Sequence, residues 1–339
     1  MGHRWRQGAL MLGLLGLGSL LCLGAGAWLL RQPLALEGSL CFDLQPGAAG
    51  PQLQTVLKAQ SGPAERLALR LYLRLSGVGR TLQAGEYCLE PGETLLSTLG
   101  KLRRGAVHER TLRIGEGWTL RDLEHALGTA ERLDRTGLGI SWAERATQLG
   151  RSGSLEGRFF PDSYRYVAGT SALALLAQAA KRMDEALGKA WAGRDPDLPL
   201  GAPGELLTLA SLIEKETGFA PDRPRVSRVF HNRLGEGMRL QTDVSVIYGL
   251  GPAFNGDLTR ADLRRDTPYN SYRRAGLPPT PIAFPGAAAL TAAAHPAPGA
   301  WRYFVARGDG SSVFSVTLAD HERAVDRYQR QAAAKGTAP

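Results

Sequence analysis

The sequence contains few of the residues and motifs on which metal and nucleophile chemistry depends. Its 339 residues include only three cysteines and six histidines. No C-x-x-C occurs, and no two histidines show H-x-x-x-H or H-x-x-E-H spacing, so no zinc site is predicted. The serine-nucleophile motifs G-x-S-x-G and S-x-x-K are missing, as are the phosphate-binding loops. The sequence therefore predicts no metal and no cofactor, and carboxylates remain as the natural catalytic groups.

Acidic residues are in the minority, and aromatic residues are few. The chain has 41 basic and 32 acidic side chains, a formal charge of +9. This charge favours anionic surroundings such as membrane headgroups, a cell-wall polymer or nucleic acid. Aromatic residues make up only 7% and form no stripe with basic residues, so nucleic acid is not a predicted partner. The 43% of hydrophobic residues can build the cores of two or three domains.

An uncharged run at residues 8–30 follows a short head at residues 1–7. As a helix rising about 1.5 Å per residue it would extend about 34 Å, enough to cross a bilayer. Arg4 and Arg6 precede the run, and Arg31 alone follows it directly. This asymmetry predicts a single-pass membrane protein with a cytoplasmic N-terminus and a periplasmic or otherwise extracytoplasmic body.

The alternative for the apolar run is a signal peptide that is removed. Ala25–Ala27 offers a small-x-small cleavage site. The run continues past that site through Trp28, which favours a retained helix, followed by a linker at residues 31–37. Both alternatives export the remainder of the chain.

Cys41 and Cys88 lie in two strand-like segments of the exported part. An oxidising compartment would permit a disulfide between them, whereas two buried free thiols are the alternative. The sequence leaves both possibilities open.

Residues 38–107 follow the order strand, helix, helix, strand. SLCFDL and GEYCLEP have strand patterns, QLQTVLKAQ and AERLALRLYLRL have helical ones, and GETLLSTLGKLRRG is a closing helix. The segment resembles a LysM-like module, a fold associated with N-acetylglucosamine polymers. A spacer that holds the rest of the chain away from the membrane is the alternative.

Residues 108–334, followed by a tail at 335–339, predict a mixed α/β domain with long loops. Helical patterns occur in RDLEHAL, SALALLAQAAKRMDEAL and LASLIEKETG, and WRYFVARGDGSSVFSVT is a predicted hairpin whose RGD sits at the turn. The Gly- and Pro-rich segments between them predict ordered loops that carry a binding site. The predicted fold class is therefore α+β, with one transmembrane helix, a small β-α-α-β module and a mixed catalytic domain.

The stretch LASLIEKETG places Glu214 and Glu216 on the last turn of a helix, with Gly218 as the predicted helix stop. At about 100° per residue the two carboxylates lie about 160° apart, on opposite shoulders of the buried stripe. Glu216 rests on Leu212 and Ile213, an apolar footing that raises a carboxyl pKa as a general acid requires. Glu214 is predicted to pair with a nearby base. The alternative is that both are solvated surface residues.

Several long motifs resemble those of the YceG-like endolytic murein transglycosylase family. LASLIEKET is similar to the helix motif of lytic transglycosylases, in which the catalytic Glu-Ser corresponds to Glu216 and Thr217. The likeness continues through LEGRFFPDSY, VFHNRLGEGMRLQTDVSVIYGLG and TPYNSYRRAGLPPTPIAFPGAAALTAAAHP, and it covers nearly the whole chain from the apolar run onward. The sequence departs from the family pattern at Thr280, where a glycine is expected, and in the variable position held by His231.

The resemblance implies a membrane-anchored lyase that cleaves the MurNAc-GlcNAc bond within peptidoglycan glycan strands. It would leave 1,6-anhydro-MurNAc ends and so trim or terminate nascent strands, with peptidoglycan synthases as partners. Glu216 would protonate the glycosidic oxygen and then, as a base, accept the proton of the 6-hydroxyl. The rival interpretations are a lysozyme-like hydrolase and a non-catalytic glycan-binding scaffold of the wall-synthesis machinery.

The same resemblance implies a set of polar and aromatic residues that bind the substrate. Asp243 in this set is the second candidate for the acid, and each member has a structural role as its alternative. The set comprises Asn232, Arg233, Gln241, Thr242, Asp243, Tyr269 and Asn270.

Overall fold

The computed structural model describes residues 2–47 and 49–330, and for residues 2–15 it describes the course of the backbone alone. The chain divides into two compact units. The first contains the residues up to 110 together with 166–169, and the second contains 111–165 and the residues from 170 onward. The predicted tail, residues 335–339, lies outside the described residues.

The first unit is built around a two-stranded antiparallel sheet. Its elements are α1 (Gly2–Leu30), β1 (Leu40–Leu44), α2 (Ala49–Val56), α3 (Pro63–Ser76), β2 (Gly85–Leu89) and α4 (Leu95–Arg104). Phe42 of β1 lies opposite Tyr87 of β2, and the sheet packs on leucines of α2, α3 and α4. The predicted order of strand, helix, helix and strand is present. Pro63 begins α3, and Gly77 ends it in the left-handed conformation that glycine adopts without strain.

Helix α1 spans the predicted apolar run at residues 8–30. The side chains of residues 8–15 lie outside the described part of the chain. Within the described residues, no helix is both long enough and apolar enough to cross a membrane.

Cys41 and Cys88 lie directly opposite each other in the sheet register and form a disulfide. The structure thus favours the bond over the two free thiols that the sequence left open. The crosslink closes a loop across 47 positions of sequence, which contains α2 and α3. Cys22 of α1 is a free, exposed cysteine.

We expect this disulfide to be a main source of the first unit's stability. Loop-closure entropy for a loop of this length corresponds to about 4 kcal/mol. Denatured, unreduced protein should react with a thiol reagent at Cys22 alone, and the Cys41→Ser/Cys88→Ser variant should unfold at a lower denaturant concentration. Three reactive thiols before reduction would contradict the assignment.

Strands β3 (Glu109–Arg113) and β4 (Ser163–Val167) form a two-stranded sheet. The second unit is mainly helical and contains another two-stranded sheet, in which β5 (Tyr303–Ala306) pairs antiparallel with β6 (Ser312–Ser315). The predicted hairpin is therefore confirmed, with the RGD tripeptide at residues 307–309 in its turn. The helices are α5 (Leu120–Thr129), α6 (Trp142–Gln148), α7 (Ala172–Gly193), α8 (Pro203–Glu216), α9 (Arg223–Gly235), α10 (Asp243–Leu250), α11 (Arg260–Arg264), α12 (Ala287–Ala294) and α13 (Leu318–Val325).

Helix α8 forms the centre of this unit. Every residue from Leu206 to Ile213 is buried, and α7, α9, α10 and α12 pack around the helix. Helix α12 is composed almost entirely of alanine, so its backbone can approach α8 closely. The buried Ser211 hydroxyl donates to the carbonyl of Thr208 (2.7 Å) and accepts the backbone N–H of Ile282 (3.0 Å). The loop before α12 is therefore tied directly to α8.

The end of α8 differs from the prediction. The helix ends at Glu216, Thr217 is extended, and Gly218 does not adopt a left-handed conformation. The prediction of Gly218 as the helix stop is therefore wrong. The N–H of Thr217 still bonds to Ile213 (3.3 Å), and its hydroxyl accepts the N–H of Phe219 (3.1 Å). These bonds let the chain leave the helix without a left-handed residue.

Candidate functional site

Glu216 lies half-buried at the C-terminal end of α8 and is hydrogen-bonded to the first turn of α10. The Thr242 hydroxyl donates to Glu216 Oε2 (2.5 Å). Thr242 is the N-cap residue of α10, a position whose hydroxyl usually accepts a backbone N–H of its own helix, yet here it makes no such cap. The hydroxyl is therefore committed to the carboxyl of Glu216.

The electrostatic environment of Glu216 favours its protonated form. Burial raises the pKa of the Glu216 carboxyl above its ordinary value, the Thr242 hydrogen bond opposes that rise, and the charge of Asp243 adds to it. The guanidinium of Arg233 acts in the opposite direction to Asp243. A raised pKa keeps the carboxyl protonated to higher pH than an ordinary glutamate, as a general acid requires.

Asp243 and Arg233 lie near Glu216 but are held by other partners. The Tyr272 hydroxyl donates to Asp243 Oδ1 (2.6 Å). Arg233 is buried, and its guanidinium donates to the carbonyls of Leu240 (2.6 Å) and Arg302 (2.6 Å). Arg233 thus fixes the chain just before Gln241 while contributing positive charge to the site.

The backbone at Gln241 is unusual for a residue other than glycine. Its φ is +50°, in the left-handed region, where a side chain normally costs energy. Its N–H donates to the carbonyl of Ser271 (3.1 Å), and the next N–H, that of Thr242, donates to Ser271 Oγ (3.0 Å). This turn, held by Ser271, positions the Thr242 hydroxyl. The Gln241 side chain itself is exposed.

Glu214 occupies a separate environment from Glu216. Its Oε2 accepts the backbone N–H of Gly286 (2.9 Å), and its Oε1 lies 3.7 Å from Arg223 Nη2. The predicted pairing of Glu214 with a basic side chain is thus present. Burial raises the pKa of this carboxyl as well, so partners rather than pKa distinguish the two glutamates. Glu214 secures the loop before α12, whereas the partner of Glu216 is a side-chain hydroxyl.

The amide groups of Asn232 and Asn270 bond to backbone carbonyls. The Asn232 amide donates to Trp301 (2.8 Å), and the buried Asn270 amide donates to Arg265 (2.6 Å) and Leu263 (3.0 Å). Both side chains hold loops of the scaffold in place. Contact of either with a substrate stays a prediction.

Tyr269 lines a large cavity and contacts Thr280. Their hydroxyls are 2.9 Å apart, and the Tyr269 ring packs against the Tyr248 ring at 4.8 Å. Thr280 is not among the residues with positive φ, so it fits this loop without needing the conformation of the glycine expected from the family pattern. His231 is buried, and its Nε2 bonds to the carbonyl of Ala293 (2.9 Å).

The cavity has a volume of about 1170 Å³ and contains a buried carboxyl that sequence reasoning missed. Glu156 is only 3% exposed, accepts the N–H of Leu120 at the start of α5 (3.1 Å), and accepts the Tyr248 hydroxyl (3.0 Å). Burial raises the pKa of Glu156 to about 7. Glu156 belongs to the LEGRFFPDSY motif and Tyr272 to PYNSY, so both lie in motifs that resemble those of the family. Their partners are distant in sequence, which is why their roles were not predicted.

These features define the class of site that the fold presents. Among the described residues, no group of His, Cys, Asp and Glu could hold a metal ion. The arrangement consists of Glu216 with its raised carboxyl pKa, the Thr242 hydroxyl that bonds to it, and a cavity with aromatic and polar walls that is lined in part by residues close in sequence to these two. The molecule is therefore a mixed α/β protein with a site suited to acid-base chemistry on a polar substrate.

Comparison with known proteins identifies the family within this class. The chain belongs to the YceG-like family, which it matches over residues 42–327. It is 28% identical over 306 residues to the endolytic murein transglycosylase of Bacillus subtilis, with 85% of this chain and 84% of that protein covered. The Streptococcus pneumoniae D39 protein of the same name is 29% identical over 73% of this chain, which spans about half of that relative's length (51%).

A solved structure also resembles the fold. A crystal structure of a yceG-like protein from Listeria monocytogenes aligns with a TM-score of 0.57 and 26% identity. The alignment covers 85% of this chain and 99% of the Listeria chain.

The raised pKa of Glu156 predicts a pH-dependent stability. Its folded pKa of about 7 exceeds the ordinary 4.5, so its contribution is fully present below pH 4.5 and is lost as the pH rises through 7. The corresponding decrease in the free energy of unfolding is about 3 kcal/mol. Glu156→Gln keeps a hydrogen-bond acceptor without the charge. Denaturant unfolding between pH 4.5 and 8 should show a weaker decline for this variant than for the wild type, and identical pH curves would contradict the prediction.

Proposed function

We propose that the protein is a peptidoglycan lytic transglycosylase that cleaves glycan strands internally between MurNAc and GlcNAc. The observation that carries this proposal is the Glu216 carboxyl, bonded to Thr242 and with its pKa raised by burial. Membership of the YceG-like family and relatives named endolytic murein transglycosylase support the choice of substrate.

In the proposed reaction one carboxyl acts twice. Protonated Glu216 donates its proton to the glycosidic oxygen as the bond from that oxygen to C1 of MurNAc breaks, and the bonding electrons stay with the oxygen. The substrate's own N-acetyl group stabilises the cation. The Glu216 carboxylate then accepts the proton of the 6-hydroxyl while O6 bonds to C1, which leaves a 1,6-anhydro end. No water is consumed, and Glu216 regains its proton.

The residues around Glu216 have distinct proposed roles. The Thr242 hydroxyl stabilises the carboxylate between the two steps, because a hydrogen bond to a charged acceptor favours the charged form. Arg233 lowers the pKa of the Glu216 carboxyl, and Asp243 raises it. We propose that the exposed Gln241 side chain and the Tyr269 ring contact the sugars. Asn232 and Asn270 are proposed to contact them as well, through the hydrogen-bonding positions that their bonds to backbone carbonyls leave free.

The first unit is proposed to act as a glycan-associated module next to the membrane. The apolar run at residues 8–30, with Arg4 and Arg6 before it, supports a membrane anchor that leaves the catalytic domain outside the cytoplasm. The β-α-α-β order of residues 38–107 supports a LysM-like module. We further propose that peptidoglycan synthases are the partners whose nascent strands the enzyme trims.

A lysozyme-like hydrolase is the second candidate, because Asp243 supplies a second carboxylate near Glu216. Product analysis separates the two reactions. We expect mass spectrometry of digested sacculi to find 1,6-anhydro-MurNAc ends, which lack one water relative to reducing ends. Reducing MurNAc ends alone would refute the lyase and favour the hydrolase.

The two glutamates of α8 provide a matched pair of variants. Glu216→Gln should lower product formation from purified sacculi by a factor on the order of 10² to 10⁴, the usual contribution of a general acid. Glu214→Gln should change it by less than about tenfold, since an amide oxygen can still accept the Gly286 hydrogen bond. Unchanged product from Glu216→Gln would end the assignment.

Two further variants should shift the pH profile in opposite directions. The acid must be protonated, so activity falls as the pH rises through the Glu216 pKa. Thr242→Val removes a bond that lowers this pKa, so the alkaline limb should move to higher pH. Asp243→Asn removes a charge that raises the pKa, so the limb should move down. Shifts in the same direction would show that the limb reports another group.

A further inference from the structure

The cavity that contains Glu156 is lined in part by residues that are close in sequence to the Glu216 site. Three chain segments that surround Glu216 also line this cavity with adjacent residues. Lys215 lies next to Glu216, Val244 follows Thr242 and Asp243 in α10, and Tyr269 belongs to the loop that also carries Tyr272.

The carboxylates of the cavity are already engaged by protein groups. Asp122 accepts the N–H and the hydroxyl of Thr119 (both 2.8 Å). Glu124 is ion-paired with the buried Arg145. Glu156 is bonded to the start of α5 and to Tyr248. The carboxylate oxygens of the cavity thus already have hydrogen-bond or ion-pair partners in the protein.

Two cations of the same cavity remain available to a ligand. Among the described residues none forms an ion pair with Arg121 or Lys215. Lys215 Nζ donates to the carbonyl of Gly117 (3.3 Å), which leaves two of its three protons free. The guanidinium of Arg121 lies beside Gly251, since a Cβ there would lie 3.5 Å from Arg121 Nη2. The cavity thus offers two cationic groups to a ligand.

We propose that this cavity receives the peptide that peptidoglycan carries on the lactyl group of MurNAc, and that Arg121 and Lys215 bind the peptide's carboxylates. This inference rests on the proposed function, because it assigns part of the same substrate to a place beside Glu216. The volume of about 1170 Å³ accommodates a short peptide in addition to sugar. The enzyme then selects glycan that still bears peptides over glycan from which they have been removed.

The selectivity of the wild type is the first test. Uncrosslinked glycan strands bearing stem peptides are compared with the same strands after an amidase has removed the peptides. We expect kcat/KM for anhydro-end formation to be at least about tenfold higher on the peptide-bearing strands, which corresponds to about 1.4 kcal/mol. Equal values on the two substrates would overturn the inference but leave the proposed function intact. Activity on neither substrate would contradict the proposed function itself.

Variants then assign the selectivity to the two cations. Arg121→Met/Lys215→Met keeps the length of the side chains and removes their charges, and it should lower the ratio of the two kcat/KM values about tenfold. The decrease should appear mainly in KM, because binding rather than proton transfer is affected. Lys189→Met, which removes an exposed charge on α7 outside the cavity, should leave the ratio unchanged. A ratio unaltered in the double variant, or lowered equally in the control, would refute the assignment.

Discussion

The burial of α8 is the constraint on which the candidate site depends. Four helices surround it, and every residue from Leu206 to Ile213 is buried, so the helix cannot rotate or shift without opening the core. Its last turn therefore delivers Glu214 and Glu216 to fixed places at the edge of the core. Ser211, inside the helix, also holds the loop before α12 by a hydrogen bond, and the cavity wall at Ile282 follows from that contact.

Two glutamates two residues apart acquire different roles because the chain supplies different partners. Glu214 meets a backbone N–H and an arginine, which are fixed scaffold groups. Glu216 meets the hydroxyl of Thr242, which can stabilise a charge that appears and disappears during a reaction. Thr242 makes this bond instead of capping its own helix. A cap bond that is given up for a carboxyl is a sign of a functional rather than a structural residue.

Local sequence patterns predicted most of the helices and strands, but they could not predict contacts between segments that are distant in sequence. The strand-helix-helix-strand order of residues 38–107 and the hairpin ending at β6 follow from periodicity and turn residues, which act within a few positions. The wrong helix stop at Gly218 arose because an extended Thr217 ends α8 without help from glycine. The bond from Thr242 to Glu216 joins residues 26 apart and that from Tyr248 to Glu156 residues 92 apart, and such contacts depend on the whole packing.

A Glu216 that acts as a general acid holds a proton at a pH where an ordinary glutamate has lost it. A direct measurement is the titration of carboxyl carbons in protein labelled with ¹³C at glutamate, with the Glu216→Gln spectrum subtracted to isolate the Glu216 signal. We expect this signal to titrate clearly above the ordinary pKa of 4.5 and Thr242→Val to raise its midpoint further. A Glu216 carboxyl that titrates at or below 4.5 in the folded protein would contradict the account.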